Sequence, residues 1–170
     1  MKSNKNIVFL GMMGSGKTTI GKLTSKKLNV DFIDIDYEIE KKTRQSIKEI
    51  FDKKGEAFFR KLEEKITLSN LRKYNGVISL GGGAFLNKKI QNEILENHIS
   101  IWLKWNDLTL IKRIKNSKKR PIVNRLDEDK LKKLIGERSK IYSKSHLKIK
   151  CDNLSKQEII KKIMKFNERF

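Results

Sequence analysis

The chain has little cysteine and no long apolar segment, and each shortage excludes a class of protein. Its one cysteine, Cys151, cannot form an internal disulfide, and no Cys/His cluster has the spacing of a zinc site. No apolar run reaches the roughly 18 residues of a membrane span. The apolar run at residues 7–10 is too short for a signal peptide. These shortages predict a reduced, cytoplasmic protein that does not interact with membranes.

Negative charge is also scarce, because 20 Asp and Glu face 40 Lys and Arg, giving a formal net charge of +20. Such an excess is typical of chains drawn to phosphate polymers, so one hypothesis is an NTP-dependent nucleic-acid-binding protein. However, only 8 of the 40 cations are arginine, and the lysines are spread along the whole chain. The sequence also lacks an RNP motif, a helix-turn-helix signature and a dense arginine stripe. We therefore interpret the charge as a solvated lysine surface and expect no specific nucleic-acid partner.

The 170 residues fit one domain, residues 1–170, in which apolar runs alternate with helical patterns. Strands are predicted at 7–10, 32–35, 77–80, 99–103 and 147–149, and helices at 17–28, 37–52, 58–73, 87–97, 107–116, 127–144 and 155–168. Strands separated by helices predict a three-layer α/β/α fold with a five-stranded parallel sheet. In such folds ligands bind at the carboxyl ends of the strands.

A phosphate-binding loop is the strongest motif in the chain. Residues 11–18, GMMGSGKT, fit G-x-x-x-x-G-K-[ST], follow a predicted strand and open a predicted helix. Backbone amides at a glycine-rich turn and the positive end of a helix cradle phosphates. Lys17 would reach the β- and γ-phosphates, and the Thr18 hydroxyl would reach Mg²⁺. The motif predicts a nucleoside triphosphate with Mg²⁺, but a GTPase, an ATPase motor and a small-molecule kinase all share it.

Two aspartates, Asp34 and Asp36, end the second predicted strand. Alternation along an extended segment would put both carboxylates on one side. One could hold metal-bound water while the other accepts a proton from an attacking hydroxyl. The alternative is that Asp36 serves only as the N-cap of the next helix.

Further along the chain, four segments could form the acceptor side of the site and its lid. Arg60 precedes Glu63 on one helical face, which favours a held guanidinium, although an ordinary surface ion pair has the same spacing. Residues 81–83, GGG, end the third strand and would let a ligand approach the backbone, unless they form only a flexible turn. A basic loop with Arg120 could be a phosphate-closing lid or a solvated charge run. Arg138, in a late helix, could bind a carboxylate or lie on the surface.

Taken together, six segments resemble the bacterial shikimate kinases, a P-loop family of the nucleoside-monophosphate-kinase-like fold. These segments are GMMGSGKT, FIDID, GEAFFRKLE, LGGGAF, KKRPI and ERSKIY, and the resemblance covers nearly the whole chain. GEAFFRKLE and LGGGA, in that order after FIDID, are the discriminating pair. Another small-molecule kinase of this fold, such as a gluconate or nucleotide kinase, remains the alternative.

The resemblance implies transfer of the γ-phosphoryl group of ATP to the 3-hydroxyl of shikimate, on the route to chorismate and the aromatic amino acids, by a monomer. It implies catalytic roles for Lys17, Asp36 and Arg120. It implies ATP contacts by Gly11, Met12, Met13, Gly14, Ser15, Gly16, Lys17, Thr18, Thr19, Arg113 and Arg120, with Mg²⁺ at Thr18 and, through water, Asp34. It implies shikimate contacts by Asp36, Phe51, Phe59, Arg60, Gly81, Gly82, Gly83 and Arg138, with Glu63 steadying Arg60. Substrate-binding helices would occupy about 36–62, a lid about 112–125, and the adenine-contacting segment about 151–155.

Overall fold

A computed structural model of the protein describes residues 5–116 and 127–169. The strands are β1 Ile7–Leu10, β2 Phe32–Asp34, β3 Val77–Ser79, β4 Ile99–Lys104 and β5 Leu147–Lys150. The helices are α1 Lys17–Leu28, α2 Ile35–Thr43, α3 Ile47–Lys73, α4 Lys88–Asn97, α5 Asp107–Lys115, α6 Glu128–Tyr142 and α7 Lys156–Asn167. All strand pairs are parallel, in the order β2-β3-β1-β4-β5. The predicted three-layer fold with a five-stranded sheet is confirmed.

The layers follow from the alternation of side chains in strands that are buried on both faces. In β1, Val8 and Leu10 join one apolar cluster, whereas Ile7 and Phe9 join the other. Helices α1 and α7 cover the Phe9 face, and α3, α4, α5 and α6 cover the Leu10 face. The central strand therefore has its carboxyl end directed to a cleft between two helical layers, where the phosphate loop begins.

The predicted single helix at 37–52 is wrong, because the helix is interrupted between α2 and α3. Arg44 adopts a left-handed conformation with φ 54°, which ends α2. Ser46 then caps α3 in a reciprocal capping box with Glu49, a signature present in the sequence as S-x-x-E. The predicted interruption before residue 58 is a kink instead, since Gly55 takes φ 79° inside α3. The helix boundary therefore lies at residues 44–46 and not, as predicted, between residues 52 and 58.

A buried polar side chain, Asn6, connects the starts of three strands at the opposite end of the sheet from the phosphate loop. Its amide Nδ2 donates to the Leu71 carbonyl at 2.9 Å, and its Oδ1 accepts from the Gly76 backbone N–H at 2.9 Å. The Asn6 backbone N–H donates to His98 Nδ1 at 3.3 Å. These bonds link the beginning of β1 to the approaches to β3 and β4.

The edge strands of the sheet are β2 and β5. In β5 the side chains alternate, with Ile149 buried and Lys148 and Lys150 exposed. Within the described ranges, no helix is long and apolar enough to span a bilayer.

Candidate active site

The loop between β1 and α1 is built on positive φ angles that favour glycine. Gly11, Gly14 and Gly16 have φ of 143°, 76° and 87°, and Gly16 is the N-cap residue of α1. The loop therefore presents backbone amides at the amino end of α1, the arrangement that binds phosphate oxygens. Its Met12 and Met13 are buried in the core, which anchors the loop from below.

Lys17 and Thr18 open α1 and place a cation and a hydroxyl at this loop. Lys17 is buried, and its Nζ donates to the carbonyls of Gly11 at 2.9 Å and Met12 at 3.0 Å. The Thr18 hydroxyl donates to Asp34 Oδ2 at 2.6 Å. A cavity of about 260 Å³ opens beside them, lined by Met13, Gly14, Gly16, Lys17, Thr18, Thr19, Asp34, Asp36, Ser79 and Leu80.

Asp34 and Asp36 both line the cavity, but the predicted geometry between them is wrong. β2 ends at Asp34, and Asp36 lies in the first turn of α2, so the two do not share an extended segment. The N-cap is Asp34, whose Oδ1 accepts from the Asp36 backbone N–H at 3.1 Å and from the Tyr37 N–H at 3.4 Å. The interpretation of Asp36 as the cap is therefore also wrong, and its carboxylate faces the end of β3.

The three glycines after β3 are each approached by acidic or basic side chains. A Cβ atom on Gly81 would lie 2.6 Å from Asp36 Oδ1 and 2.7 Å from Glu63 Oε1. One on Gly82 would lie 3.4 Å from Arg138 Nη1, and one on Gly83 would lie 2.6 Å from Arg60 Nη1. Residues from α2, α3 and α6 thus converge on one turn, and glycine leaves the space for them.

Arg60 is held by two carboxylates on α3. Its Nη1 donates to Glu63 Oε2 at 2.6 Å, and its Nε lies 3.3 Å from Glu56 Oε1. The predicted Arg60–Glu63 pair is therefore present, whereas the role of Glu56 was missed although it lies four residues before Arg60. Burial raises the pKa of the Glu63 carboxyl, with Arg60 opposing this and Asp36 adding to it. The Arg60 side chain is 36% exposed.

Arg138 lies across the glycine turn from Arg60. Its Nη1 is 3.8 Å from the sulfur of Met12, and its buried Nε has no hydrogen-bond partner among the residues that the structure describes. Tyr142, one turn later on α6, donates its hydroxyl to the Gly82 carbonyl. Burial raises the pKa of Tyr142 to about 12, so it is a neutral donor at physiological pH. This tyrosine ends the ERSKIY segment but was not among the predicted site residues.

Phe51 and Phe59, the predicted apolar walls, pack on each other with ring centroids 4.6 Å apart. Phe59 is buried, and the Arg60 guanidinium lies 5.1 Å from its ring centroid. The pair belongs to the same α3 segment as the ion pairs, so an apolar surface borders the charged groups.

The remaining predicted cations are Arg113 and Arg120. Arg113, on α5, reaches back to the phosphate loop, where its Nη1 lies 3.4 Å from the Gly14 carbonyl. Its guanidinium also stacks on Trp105, a residue that the sequence analysis did not single out. Arg120 and most of the predicted lid at about 112–125 lie outside the described residues.

Comparisons with known proteins point to one family. The family model described as shikimate kinase matches residues 13–168. The shikimate kinase of Bacillus subtilis is 44% identical over 164 residues, covering 91% of this chain and 84% of that protein. That of Aquifex aeolicus is 41% identical over 159 residues, covering 93% of both.

Solved structures give the same result. The shikimate kinase from Acinetobacter baumannii in complex with shikimate superimposes with a TM-score of 0.91 at 29% identity, covering 99% of this chain and 95% of that one. The crystal structure of shikimate kinase from Aquifex aeolicus gives 0.85 at 38% identity, covering 96% of each. A deoxyadenosine kinase from M. mycoides, at 18% identity and a TM-score of 0.64, shares the fold alone. The chain therefore belongs to the shikimate kinase family, the ATP-dependent kinases that phosphorylate shikimate.

Proposed function

We propose that the groups gathered at the ends of β1, β2 and β3 carry out the family's reaction, with a division between an acceptor side and a phosphate side. The observation that supports this most directly is the glycine turn, where two guanidiniums and a carboxylate meet beside a phosphate loop. A carboxylated polyol needs cations for its carboxylate and a base for one hydroxyl. A nucleotide acceptor would also need cations, but its attacking phosphate oxygen is already anionic and would need no base.

On the acceptor side, Arg60 and Arg138 bind the carboxylate of shikimate, and Glu63 and Glu56 orient Arg60. The position of Arg138 supports this role, because its Nη1 lies 3.4 Å from where a Cβ atom on Gly82 would be, at the glycine turn. Gly81, Gly82 and Gly83 let the ring approach the backbone, with Phe51 and Phe59 as the apolar border. Asp36 receives the proton of the 3-hydroxyl.

The chemical step is an in-line transfer. The 3-hydroxyl oxygen of shikimate bonds to the γ-phosphorus of ATP while the bond from that phosphorus to the β–γ bridging oxygen breaks. The hydroxyl proton passes to Asp36, and the leaving group is ADP. Lys17 would leave its Gly11 and Met12 carbonyls to meet the transferring oxygens, and Arg113 and Arg120 would add positive charge on the nucleotide side.

Thr18 and Asp34 fit a magnesium site. They are hard oxygen donors 2.6 Å apart at the edge of the cavity, and Mg²⁺ in kinases takes few protein ligands because phosphates and waters complete its shell. When bound, the ion neutralises phosphate charge. The Thr18 hydroxyl would then turn its lone pair to the ion, while Asp34 keeps Oδ1 on the α2 cap and offers Oδ2 through water.

Replacing Arg60 tests the acceptor assignment. We expect Arg60→Ala to raise the KM for shikimate by about tenfold to a hundredfold, because a charge-assisted contact is lost, with the KM for ATP little changed. The measurement is steady-state ADP release at varied shikimate and then at varied ATP.

Arg72→Ala is the matched control, since Arg72 is an exposed arginine further along α3, where it pairs with Glu93 at 3.9 Å. It should leave both constants unchanged. An unaltered shikimate KM in Arg60→Ala would remove Arg60 from the acceptor site.

An acceptor screen tests the substrate assignment. Purified protein with Mg²⁺ and ATP should release ADP with shikimate far faster than with gluconate or a nucleoside monophosphate. Greater turnover with either competitor would contradict the proposal.

We also propose that the enzyme works as a cytoplasmic monomer without a specific nucleic-acid partner. Lysines outnumber arginines fourfold (32 against 8), and a lysine coat binds nucleic acid weakly and non-specifically. Binding to duplex DNA should be lost by about 200 mM salt, and light scattering should give the monomer mass. Specific binding that survives such salt would contradict this.

A further inference from the structure

Trp105 makes contacts that tie the phosphate loop to Arg113, and no role above accounts for it. It directly follows β4, and its indole Nε1–H donates to the Ser15 carbonyl in the phosphate loop at 2.8 Å. The Cζ atom of Arg113 lies 3.7 Å from the indole ring centroid. The same guanidinium reaches the Gly14 carbonyl at 3.4 Å. One ring therefore touches both parts of the proposed nucleotide site.

We propose that Trp105 is a positioning residue for nucleotide binding: its ring holds the Arg113 guanidinium in place beside the phosphate loop before ATP arrives. This inference rests on the proposed function, in which Arg113 contacts the nucleotide. Trp105 itself need not touch the nucleotide.

The indole is fixed firmly enough to act as a support. The residues on either side are bonded to the segment after β5: the Cys151 N–H donates to the Lys104 carbonyl at 2.9 Å, and the Asn106 N–H donates to the Asp152 carboxylate at 2.8 and 3.0 Å. The Trp105 ring also packs against both apolar clusters of the core. A ring held from the backbone and from both clusters has little freedom to turn.

Arg113 has the opposite character, because it is an exposed residue with a long side chain. Such a side chain samples many rotamers in water, and ordering it on ligand binding costs affinity. Stacking on an indole face orders the guanidinium in advance, and cation–π attraction favours that state. Since Arg113 remains exposed, one guanidinium face is covered by the ring while the other stays accessible to a ligand.

The stacking of Arg113 on Trp105 should affect the binding of the nucleotide but not of shikimate. Arg113 and Trp105 lie on the β4 and α5 side of the phosphate loop, whereas Arg60, Arg138 and Asp36 meet at the glycine turn after β3. Loss of the ring should therefore weaken nucleotide binding without weakening shikimate binding. A merely structural role in the core would affect both, together with thermal stability.

The test is calorimetric titration of ADP and, separately, of shikimate into the wild type, four test variants and one control variant. Trp105→Leu removes the ring, Trp105→Phe keeps an aromatic face but no N–H, Arg113→Ala removes the guanidinium, and the fourth variant combines Trp105→Leu with Arg113→Ala. Leu108→Ala is the matched control, because Leu108 is 65% exposed on the same helix α5.

We expect Trp105→Leu to raise the Kd for ADP by about three- to tenfold, the cost of ordering one long side chain, and Trp105→Phe to raise it less. The Kd for shikimate and the unfolding temperature of Trp105→Phe should stay close to those of the wild type. In the Arg113→Ala background, Trp105→Leu should raise the ADP Kd by less than half the factor seen in the wild-type background.

Three results would overturn the inference: an unchanged ADP Kd in Trp105→Leu, equal weakening of ADP and shikimate binding in Trp105→Phe, or full additivity in the double variant. Failure of the underlying proposal looks different. An unchanged ADP Kd in Arg113→Ala would remove Arg113 from the nucleotide site. A raised ADP Kd in Arg113→Ala together with an unchanged ADP Kd in Trp105→Leu would reject only the role of Trp105.

Discussion

Asp34 shows how one side chain can serve the fold and the site at once. Its Oδ1 caps α2 through two backbone N–H groups, and its Oδ2 accepts from the Thr18 hydroxyl. The cap fixes the direction of α2, and that direction carries Asp36 to the glycine turn. Because β2 ends at Asp34, Asp34 lies on the phosphate side of the site and Asp36 lies on the acceptor side.

A conservative change at Asp36 tests its role as the base. We expect Asp36→Asn to lower kcat by about 10²–10⁴-fold, because an amide cannot take up the hydroxyl proton, while the Kd for ADP is retained. The measurements are single-turnover phosphoryl transfer and ADP titration.

Glu38→Gln is the paired control, because Glu38 lies two residues further on α2, on the opposite side of the helix. It should keep wild-type kcat. Wild-type turnover in Asp36→Asn would show that Asp36 only positions the substrate.

At the level of residues, the sequence predicted the local motifs but not the contacts between residues far apart in the chain. The phosphate loop, the Arg60–Glu63 pair and the glycine turn are short segments whose chemistry is visible locally. Trp105 lies 90 residues from Ser15 and looks like one more apolar residue after a strand. Its N–H partner is a backbone carbonyl, which carries no side-chain signature.

At the scale of elements, three helices contribute to the site through one turn. The segment after β3 brings Gly81 near α2, Gly82 near α6 and Gly83 near α3, with Tyr142 bonded to the Gly82 carbonyl. Because the contacts are with the turn itself, its shape sets the spacing between the carboxylate and the two guanidiniums.

Adding a methyl group to this turn should displace a charged group without unfolding the protein. In Gly83→Ala the new Cβ would lie 2.6 Å from Arg60 Nη1, and the flexible end of Arg60 would move away. Gly83 has φ −106°, which alanine adopts easily. We therefore expect a raised KM for shikimate, by about tenfold, with the unfolding temperature nearly unchanged.

Gly136→Ala, on α6 with no atom within 4 Å of the added Cβ, is the comparison. It should leave the shikimate KM alone and stabilise the helix by up to about 1 kcal/mol. An unaltered KM in Gly83→Ala would show that Arg60 tolerates displacement.

Elements were predicted where periodicity was unbroken, and mispredicted where backbone conformation intervened. β1 and α1 have the predicted bounds, since an apolar run and a glycine-rich turn delimit them. The break at Arg44 depends on a left-handed non-glycine residue, which the helical pattern of charges does not signal. The capping box at Ser46 was the available signal for the new helix.

At the scale of the whole molecule, the end of the sheet opposite the active site is closed by polar groups. Asn6 bonds to Leu71, Gly76 and His98, and His98 is itself buried, with Nδ1 as the acceptor. Burial lowers the pKa of His98 below its ordinary 6.5, although Glu93 opposes this. The folded protein therefore favours neutral His98, whereas the unfolded chain protonates it at about 6.5.

The sign of the pH dependence follows from proton binding. Below about pH 6.5 the unfolded state binds more protons at this position than the folded state, so the stability due to His98 is present above that pH and decreases as the pH falls. Urea unfolding between about pH 8 and pH 5.5 should show this decrease in the wild type and a flatter profile in His98→Gln.

His146→Gln, at the only other histidine, is the reference and should retain the slope that His98 supplies. An identical slope in His98→Gln and the wild type would contradict the assignment.

The lysines of β5 give part of the excess positive charge a specific consequence. Lys148 and Lys150 alternate with buried Ile149 on a strand whose outer edge has no neighbour in the described sheet. An unpaired edge is a template for another chain's strand, and like charges brought together there repel. Two copies cannot join β5 to β5 without opposing these lysines, so the sheet resists growing into aggregates. Lysines that take no part in phosphoryl transfer thus disfavour aggregation through the edge of the sheet.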